Sequence, residues 1–144
     1  IGFKNSRTKK KSSIPTYYKN SVKTFLQLSD IIVSILPATP NTKNIINKSF
    51  LDQLKKNCLL INTGRGSSLN ENDLINHLNK NKNFFASLDV FDKEPLPKNH
   101  LFWKHSNVTV TPHVAAITDV DSSIEYIYSK IEYLSKKRKI QSNY

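Results

Sequence analysis

Methionine is absent from this chain of 144 residues, and glycine, cysteine and tryptophan are scarce, at three, one and one. A single cysteine excludes a disulfide framework, and no metal-ligand spacing links it to any of the four histidines. Cys58 lies within an apolar run, so it reads as a small, reduced, buried hydrophobe, which favours a cytoplasmic setting. No run of about 20 apolar residues is present, which leaves no candidate membrane-spanning helix. Acidic side chains are also few, 11 against 22 basic ones, for a net charge of +11. Most of that excess is lysine, since only Arg7, Arg65 and Arg138 are arginines. Asparagine and isoleucine are inflated alongside lysine, and no nucleic-acid motif accompanies the charge, so it reads as solvated surface. The length suits one domain with an ordinary core. The missing methionine and the abrupt opening Ile1-Gly-Phe-Lys4 read as a fragment.

What is present centres on Cys58-Leu-Leu-Ile-Asn-Thr-Gly-Arg-Gly-Ser67. Apolar residues ending in Asn62 and Thr63 predict a buried strand that stops in polar ground. Two of the three glycines flank Arg65, so the backbone there needs a conformation or a close approach that a Cβ would forbid. Arginine's planar fork matches a carboxylate bidentately, which makes Arg65 a candidate anion clamp; the alternative is a solvated turn arginine.

Other segments alternate between strand and helix patterns. Ile1–Lys4 predicts a strand end, followed by a basic loop. Helical spacing covers Val22–Leu28, and Ile31–Leu36 is a β-branched run stopped by Pro37. Asn47 predicts a helix cap, with Ile46 and Leu51 as a staple and the helix reaching about Lys55. Asn70 caps another, whose buried stripe is Leu74, Ile75 and Leu78, with Glu71 and Asp73 complementing the dipole. Phe84–Leu88 is a third interior strand. After Asp89 a proline-rich, aromatic loop without a helix leads to a fourth strand, Val108–Val110, then Thr111-Pro-His113. Thr118 caps the longest helix, whose stripe includes Val120, Ile124, Ile127 and Ile131.

Strands alternating with helices predict an α/β fold, a doubly wound parallel sheet of Rossmann type with right-handed crossovers. Ligands bind such sheets outside the carboxyl ends of the strands. Pro37, Thr63–Arg65, Asp89–Glu94 and Pro112-His113 all lie just beyond those ends and should share one rim. An arginine, two acids and a histidine there suffice for carbonyl reduction, as a carboxylate clamp and a proton donor held by a carboxylate. A strand-end histidine satisfied by backbone is the plainer alternative. His77, His100 and His105 read as surface residues.

Asn62-Thr-Gly-Arg-Gly66, Leu88-Asp-Val-Phe-Asp-Lys-Glu-Pro-Leu96 and Thr109-Val-Thr-Pro-His-Val-Ala-Ala116 resemble three successive signatures of the D-isomer-specific 2-hydroxyacid dehydrogenases. Val114-Ala-Ala-Ile-Thr118 and Ser6-Arg-Thr-Lys9 bring the resemblance nearest to the glyoxylate/hydroxypyruvate reductase A branch. The resemblance implies an oxidoreductase passing hydride from NAD(P)H to a small 2-oxo acid, in a protein that is a homodimer when complete. Arg65 would grip the substrate carboxylate, His113 would protonate the carbonyl oxygen, and Glu94 would stand behind His113. Asp89 would hold the nicotinamide carboxamide, and Pro37, Thr63 and Gly64 would line the cofactor. Phe102 and Trp103 would pack beneath the site.

The ribose-selecting position falls at Ser6 and Arg7, where no carboxylate is offered, so the resemblance implies NADP (NADPH) over NAD. In such folds the glycine-rich phosphate loop lies about 20 residues earlier, before Ile1. Residues 1–118 then form a partial dinucleotide-binding domain, and 119–144 a helix and tail returning to a substrate domain. Such a fragment is expected to be inactive alone. A non-catalytic remnant of the same fold, or a basic nucleic-acid binder, are the competing readings.

Overall fold

The structure is a computed structural model that describes residues 1–4, 13–116 and 119–141. Its centre is a four-stranded parallel sheet in the order β3 (Ile31–Ser34), β4 (Leu59–Asn62), β5 (Phe85–Leu88), β6 (Val108–Val110). A separate parallel pair joins β1 (Gly2–Lys4) to β2 (Thr16–Tyr18). Three helices connect the strands: α1 (Val22–Leu28), α2 (Lys48–Leu51) and α3 (Glu71–Lys80). A longer α4 (Val120–Gln141) follows β6.

One face of the sheet carries the core. Ile32, Leu60 and Ala86 are buried there with Leu26 of α1, Leu51 of α2 and Leu74 and Leu78 of α3. Cys58 belongs to the same cluster, and burial pushes its thiol up to about 11, which makes it an inert hydrophobe. The caps behave as their side chains dictate: Asn47 accepts from the Phe50 N–H and Asn70 from the Asp73 N–H.

Several expectations require correction. The β3 run was expected to be interior, yet Ile31 and Val33 are each 57 % exposed, because only one face of that strand has helices against it. Strand β2 has three residues, too few to show an alternation, and went unanticipated. The α2 helix ends at Leu51 rather than near Lys55. Beyond it the Gln53 and Leu54 N–H groups bond three residues back, a tighter winding that buries Leu54. The aromatic loop contains a 3-10 turn, Leu101–Lys104, that buries Phe102. Thr118 lies outside the described residues; at the start of α4 the Asp119 carboxylate accepts from the Ser122 N–H. Val120, Ile124, Ile127 and Ile131 of α4 are exposed. Among the described residues no helix is long and apolar enough to cross a membrane.

His77 is not a surface residue. Its ring packs edge-on against buried Phe84, with centroids 4.7 Å apart, and its Nε2 is buried without a hydrogen-bond partner. Burial holds the imidazole below its ordinary value of 6.5, and the charge of Asp52, which favours the imidazolium, only partly offsets this. The unfolded chain therefore takes up a proton that the folded one resists. Stability contributed at His77 is complete above pH 6.5 and lost as pH falls below it. The melting temperature should decline on acidification through that window, and His77→Leu should flatten the decline. An unchanged slope in the variant would exclude the buried imidazole as its source.

Candidate active site

The strand register assembles the site. Ser34, Asn62, Leu88 and Val110 stand side by side as the last residues of their strands. One further bond continues each ladder, from Thr63 N to Ser34 O, Asp89 N to Asn62 O and Thr111 N to Leu88 O, all at 3.0 Å. The chain therefore leaves all four strands at one rim. Pro37, Thr63, Gly64, Arg65, Asp89 and His113 are delivered to it, as the spacing predicted.

Close approach, rather than unusual dihedrals, explains the glycines, because neither has a positive φ. A Cβ on Gly64 would lie 2.6 Å from the Leu36 nitrogen, and one on Gly66 would lie 1.8 Å from the Phe91 carbonyl carbon. The Arg65 turn is thus wedged between the loops that follow β3 and β5. Its carbonyl accepts from Ser68 Oγ at 2.8 Å, and buried Asn62 accepts from the Gly64 N–H at 3.3 Å. The exposed Arg65 side chain gives one N–H to the Gly64 carbonyl, which leaves its outer donors facing solvent.

Gly66→Ala should therefore cost stability directly. The obstacle is backbone, which cannot swing aside, so at least the about 1–3 kcal/mol of an overpacked core is expected. The lost denaturation midpoint should come with a displaced 91–94 turn. An unchanged midpoint in urea would show that the wedge is looser than the geometry says.

His113 and Glu94 meet directly, Nδ1 to Oε2 at 2.8 Å, and the other Glu94 oxygen accepts from the Phe91 N–H at 2.9 Å. Burial works to raise the Glu94 carboxyl. The bond to His113, the Phe91 N–H and the charges of His113 and Arg65 outweigh it and hold the group below the usual carboxylate range. The charge of Arg65 is thus felt at Glu94, and the three expected catalytic residues share one neighbourhood. His113 itself has φ 57°, a left-handed backbone uncommon for a residue with a Cβ. Asp89 maintains it: this buried carboxylate accepts from the Val114 and Ala115 N–H groups at 2.9 Å each and from the Thr111 hydroxyl. Desolvation opposes ionisation of Asp89, yet those three donors and the His113 charge hold its carboxyl low as well.

A cavity of about 360 Å³ opens beside His113, walled by Phe91, Pro95, Leu96, Trp103 and Pro112. Phe102 is buried beneath the loop as expected, but Trp103 is half exposed and forms part of the cavity wall, pinned by its Nε1 to the Pro97 carbonyl. His100 is no surface residue either. Its Nε2 lies 3.3 Å from Glu71, which also accepts the Asp92 N–H, so α3 steadies the loop that carries Glu94. His105 is tied locally, its Nδ1 accepting from the Asn107 N–H. Sequence reasoning missed Asn62, Ser68, Glu71 and Thr111 as supports of the site. Asn62 and Thr111 carried the available signal, polar side chains where apolar strands end. Ser6 and Arg7 lie outside the described residues. Among those described, no cluster of His, Cys, Asp and Glu could hold a metal ion.

Comparison with known proteins agrees with this geometry. Glyoxylate/hydroxypyruvate reductase A of Photorhabdus laumondii is 46 % identical over 112 residues, covering 78 % of this chain and 36 % of that protein. The Yersinia enterocolitica protein of the same name is 38 % identical, covering 92 % and 43 %. The chain therefore spans less than half the length of these relatives. The NADPH-dependent glyoxylate/hydroxypyruvate reductase of Sinorhizobium meliloti, solved with NADP and sulfate, superposes with a TM-score of 0.81 at 35 % identity, over 94 % of this chain and 45 % of that one. A D-isomer specific 2-hydroxyacid dehydrogenase of Xanthobacter autotrophicus, solved with NADPH and MES, gives 0.83 at 33 % identity, over 94 % and 57 %. Residues 1–115 match the family described as D-isomer specific 2-hydroxyacid dehydrogenase, NAD binding domain, and the chain belongs to that family.

Proposed function

We propose that this chain supplies the catalytic residues of a cytoplasmic, homodimeric 2-oxo acid reductase that uses NADPH and acts on glyoxylate or hydroxypyruvate. The observation that carries the proposal is the Arg65, Glu94 and His113 constellation on the carboxyl rim, with His113 held at 2.8 Å by a carboxylate kept ionised. The residues present suit the nicotinamide end of the cofactor. Pro37, Thr63 and Gly64 edge the rim, and buried Asp89, with three donors already engaged, keeps about one acceptor direction for a carboxamide N–H. When bound, the reduced nicotinamide supplies the hydride.

The protein's own groups do the rest. Arg65 binds the substrate carboxylate in a two-pronged grip and orients the adjacent carbonyl. Glu94 accepts the Nδ1 proton of His113 in a hydrogen bond, which fixes the ring and turns Nε2 toward the cavity. Nε2 would hold the proton that the carbonyl oxygen takes up when the substrate is reduced to the 2-hydroxy acid. The apolar wall of Phe91, Leu96 and Trp103 limits water around that transfer. Arg7 is placed by this reading on the cofactor's 2′-phosphate.

The test compares the 144 residues with a fusion to the front portion of the Yersinia reductase, following NADPH and NADH absorbance with both oxo acids. The fusion should turn over with NADPH preferred, and Arg7→Ala should erase the preference. The chain alone should give no saturable turnover, since orienting donor and acceptor requires both halves of a cleft. A folded but inactive fusion would favour the non-catalytic remnant. Oligonucleotide binding that collapses with salt would instead support the basic binder.

A further inference from the structure

Between Asp89 and the 3-10 turn at Leu101–Lys104 the chain runs through residues 90–100 without a helix or strand. A repeating backbone ladder therefore does not fix where Glu94 points, and a carboxylate that must meet His113 needs supports from elsewhere. Among the described residues, two side chains outside this segment are bonded to it: His113, through Glu94, and Glu71. Consecutive N–H groups of the turn are divided between two carboxylates. Phe91 donates to Glu94 Oε1 at 2.9 Å, and Asp92 donates to Glu71 Oε1 at 3.1 Å.

The second oxygen of Glu71 meets the far end of the same segment. His100 Nδ1 accepts from the Phe102 N–H at 3.3 Å, so the ring carries its proton on Nε2, and that nitrogen faces Glu71 Oε2 at 3.3 Å. His100 is tied further by its own N–H to the Pro97 carbonyl at 2.9 Å, and its ring centroid lies 4.6 Å from that of buried Phe102. The side chains of His100 and Glu71 are 20 and 19 % exposed, so solvent screens this pair less than one on the open surface. Glu71 is itself fixed at the start of α3, which Leu74 and Leu78 anchor in the core. A glutamate that served only the helix dipole would turn its oxygens to solvent, whereas this one commits both to the loop.

We infer that Glu71 and His100 form a positioning pair that holds the 91–94 turn in place, so that the Glu94 carboxylate is presented to His113. The inference rests on the reading of Glu94 and His113 as the proton-delivering pair. Without Glu71 the Asp92 N–H loses its acceptor and the turn is free to rotate about Phe91. Both donors to Glu94, the Phe91 N–H and His113, then separate from their carboxylate.

The test titrates the Glu94 side-chain carboxyl by carbon-13 NMR in the 144-residue chain. In the parent its donors hold it below the usual carboxylate range. Glu71→Ala should move the midpoint upward, toward an ordinary carboxylate, because those donors are displaced. Loss of the Glu71 negative charge alone would move it downward, so the sign separates positioning from a charge effect. Glu71→Gln keeps an acceptor for Asp92 and should hold the midpoint near the parent's. His100→Ala removes no negative charge and should raise the midpoint too, which keeps the test open if Glu71→Ala does not fold. In the fusion with the Yersinia front portion, Glu71→Ala should lower kcat at least about tenfold with KM for the oxo acid little changed, and Glu71→Gln should restore most of it. A Glu94 midpoint that stays or falls in the alanine variants, with a parental circular dichroism spectrum, overturns the inference whatever the fusion does. An inactive parent fusion would count against the proton-delivery reading instead, with the Glu94 midpoint still deciding the pair.

Discussion

Replacing His113 by alanine in the completed protein should lower kcat by about 10²–10⁴-fold, the contribution of a positioned general acid, with KM for the oxo acid little changed. In the proposed mechanism the ring meets the reacting atoms only through Nε2, so its loss would be felt in the transition state rather than in ground-state binding. Its position has three supports: the Glu94 carboxylate on Nδ1, the left-handed backbone at residue 113, and the Asp89 clamp on the next two N–H groups. Glu94→Gln keeps the shape of the first support and removes its charge, so an intermediate loss of kcat at unchanged KM should follow. Steady-state kinetics with NADPH and glyoxylate settle it. If His113→Ala turns over at the parent rate, proton delivery belongs to another group, and the proposed role of Glu94 fails with it.

Arg65→Lys should cost about 10²–10³-fold in kcat/KM, the scale seen when one preorganised donor to a developing charge is removed. The substitution conserves charge and changes geometry. A guanidinium presents two parallel N–H groups to a carboxylate and can still reach the carbonyl, whereas an ammonium is a single, strongly hydrated point. The structure holds the backbone of this residue firmly, through Ser68 on its carbonyl and two glycines packed against neighbouring loops. The loss would therefore be assignable to the side chain. Melting the variant beside the parent checks that the turn is intact, and near-parental kcat/KM in the lysine variant would reduce Arg65 to a solvated turn residue.

Much of this site was legible in the amino-acid order. A strand that ends in a polar residue declares which of its ends meets the ligand, so Thr63, Asp89 and Thr111-Pro-His113 could be placed on one rim without coordinates. Glycines on both sides of Arg65 announced a close approach, and the approach is there, against Leu36 and Phe91. The caps at Asn47 and Asn70 were readable because a side-chain acceptor one turn ahead of a free N–H is a local arrangement.

What stayed hidden depended on residues far apart in the chain. Helical position alone put His77 on a polar surface, but Phe84 reaches it only after β5 docks beside β4. Glu71 and His100 looked like exposed polar residues, and only the folded loop brings them to 3.3 Å to brace the turn bearing Glu94. The three residues of β2 acquire a strand's conformation from their pairing with β1.

The sequence by itself determined the alternation of strand and helix, the rim on which chemistry is possible and the residue types available there. These follow from periodicity, caps and strand ends, which act over a few residues. Tertiary structure decided which polar groups are paired or stranded, that Asp89 stabilises a strained turn, and that one face of β3 is left exposed while the other is buried against the helices. Those outcomes depend on register and on which faces are covered, and both are fixed only when distant segments compete for the same neighbours.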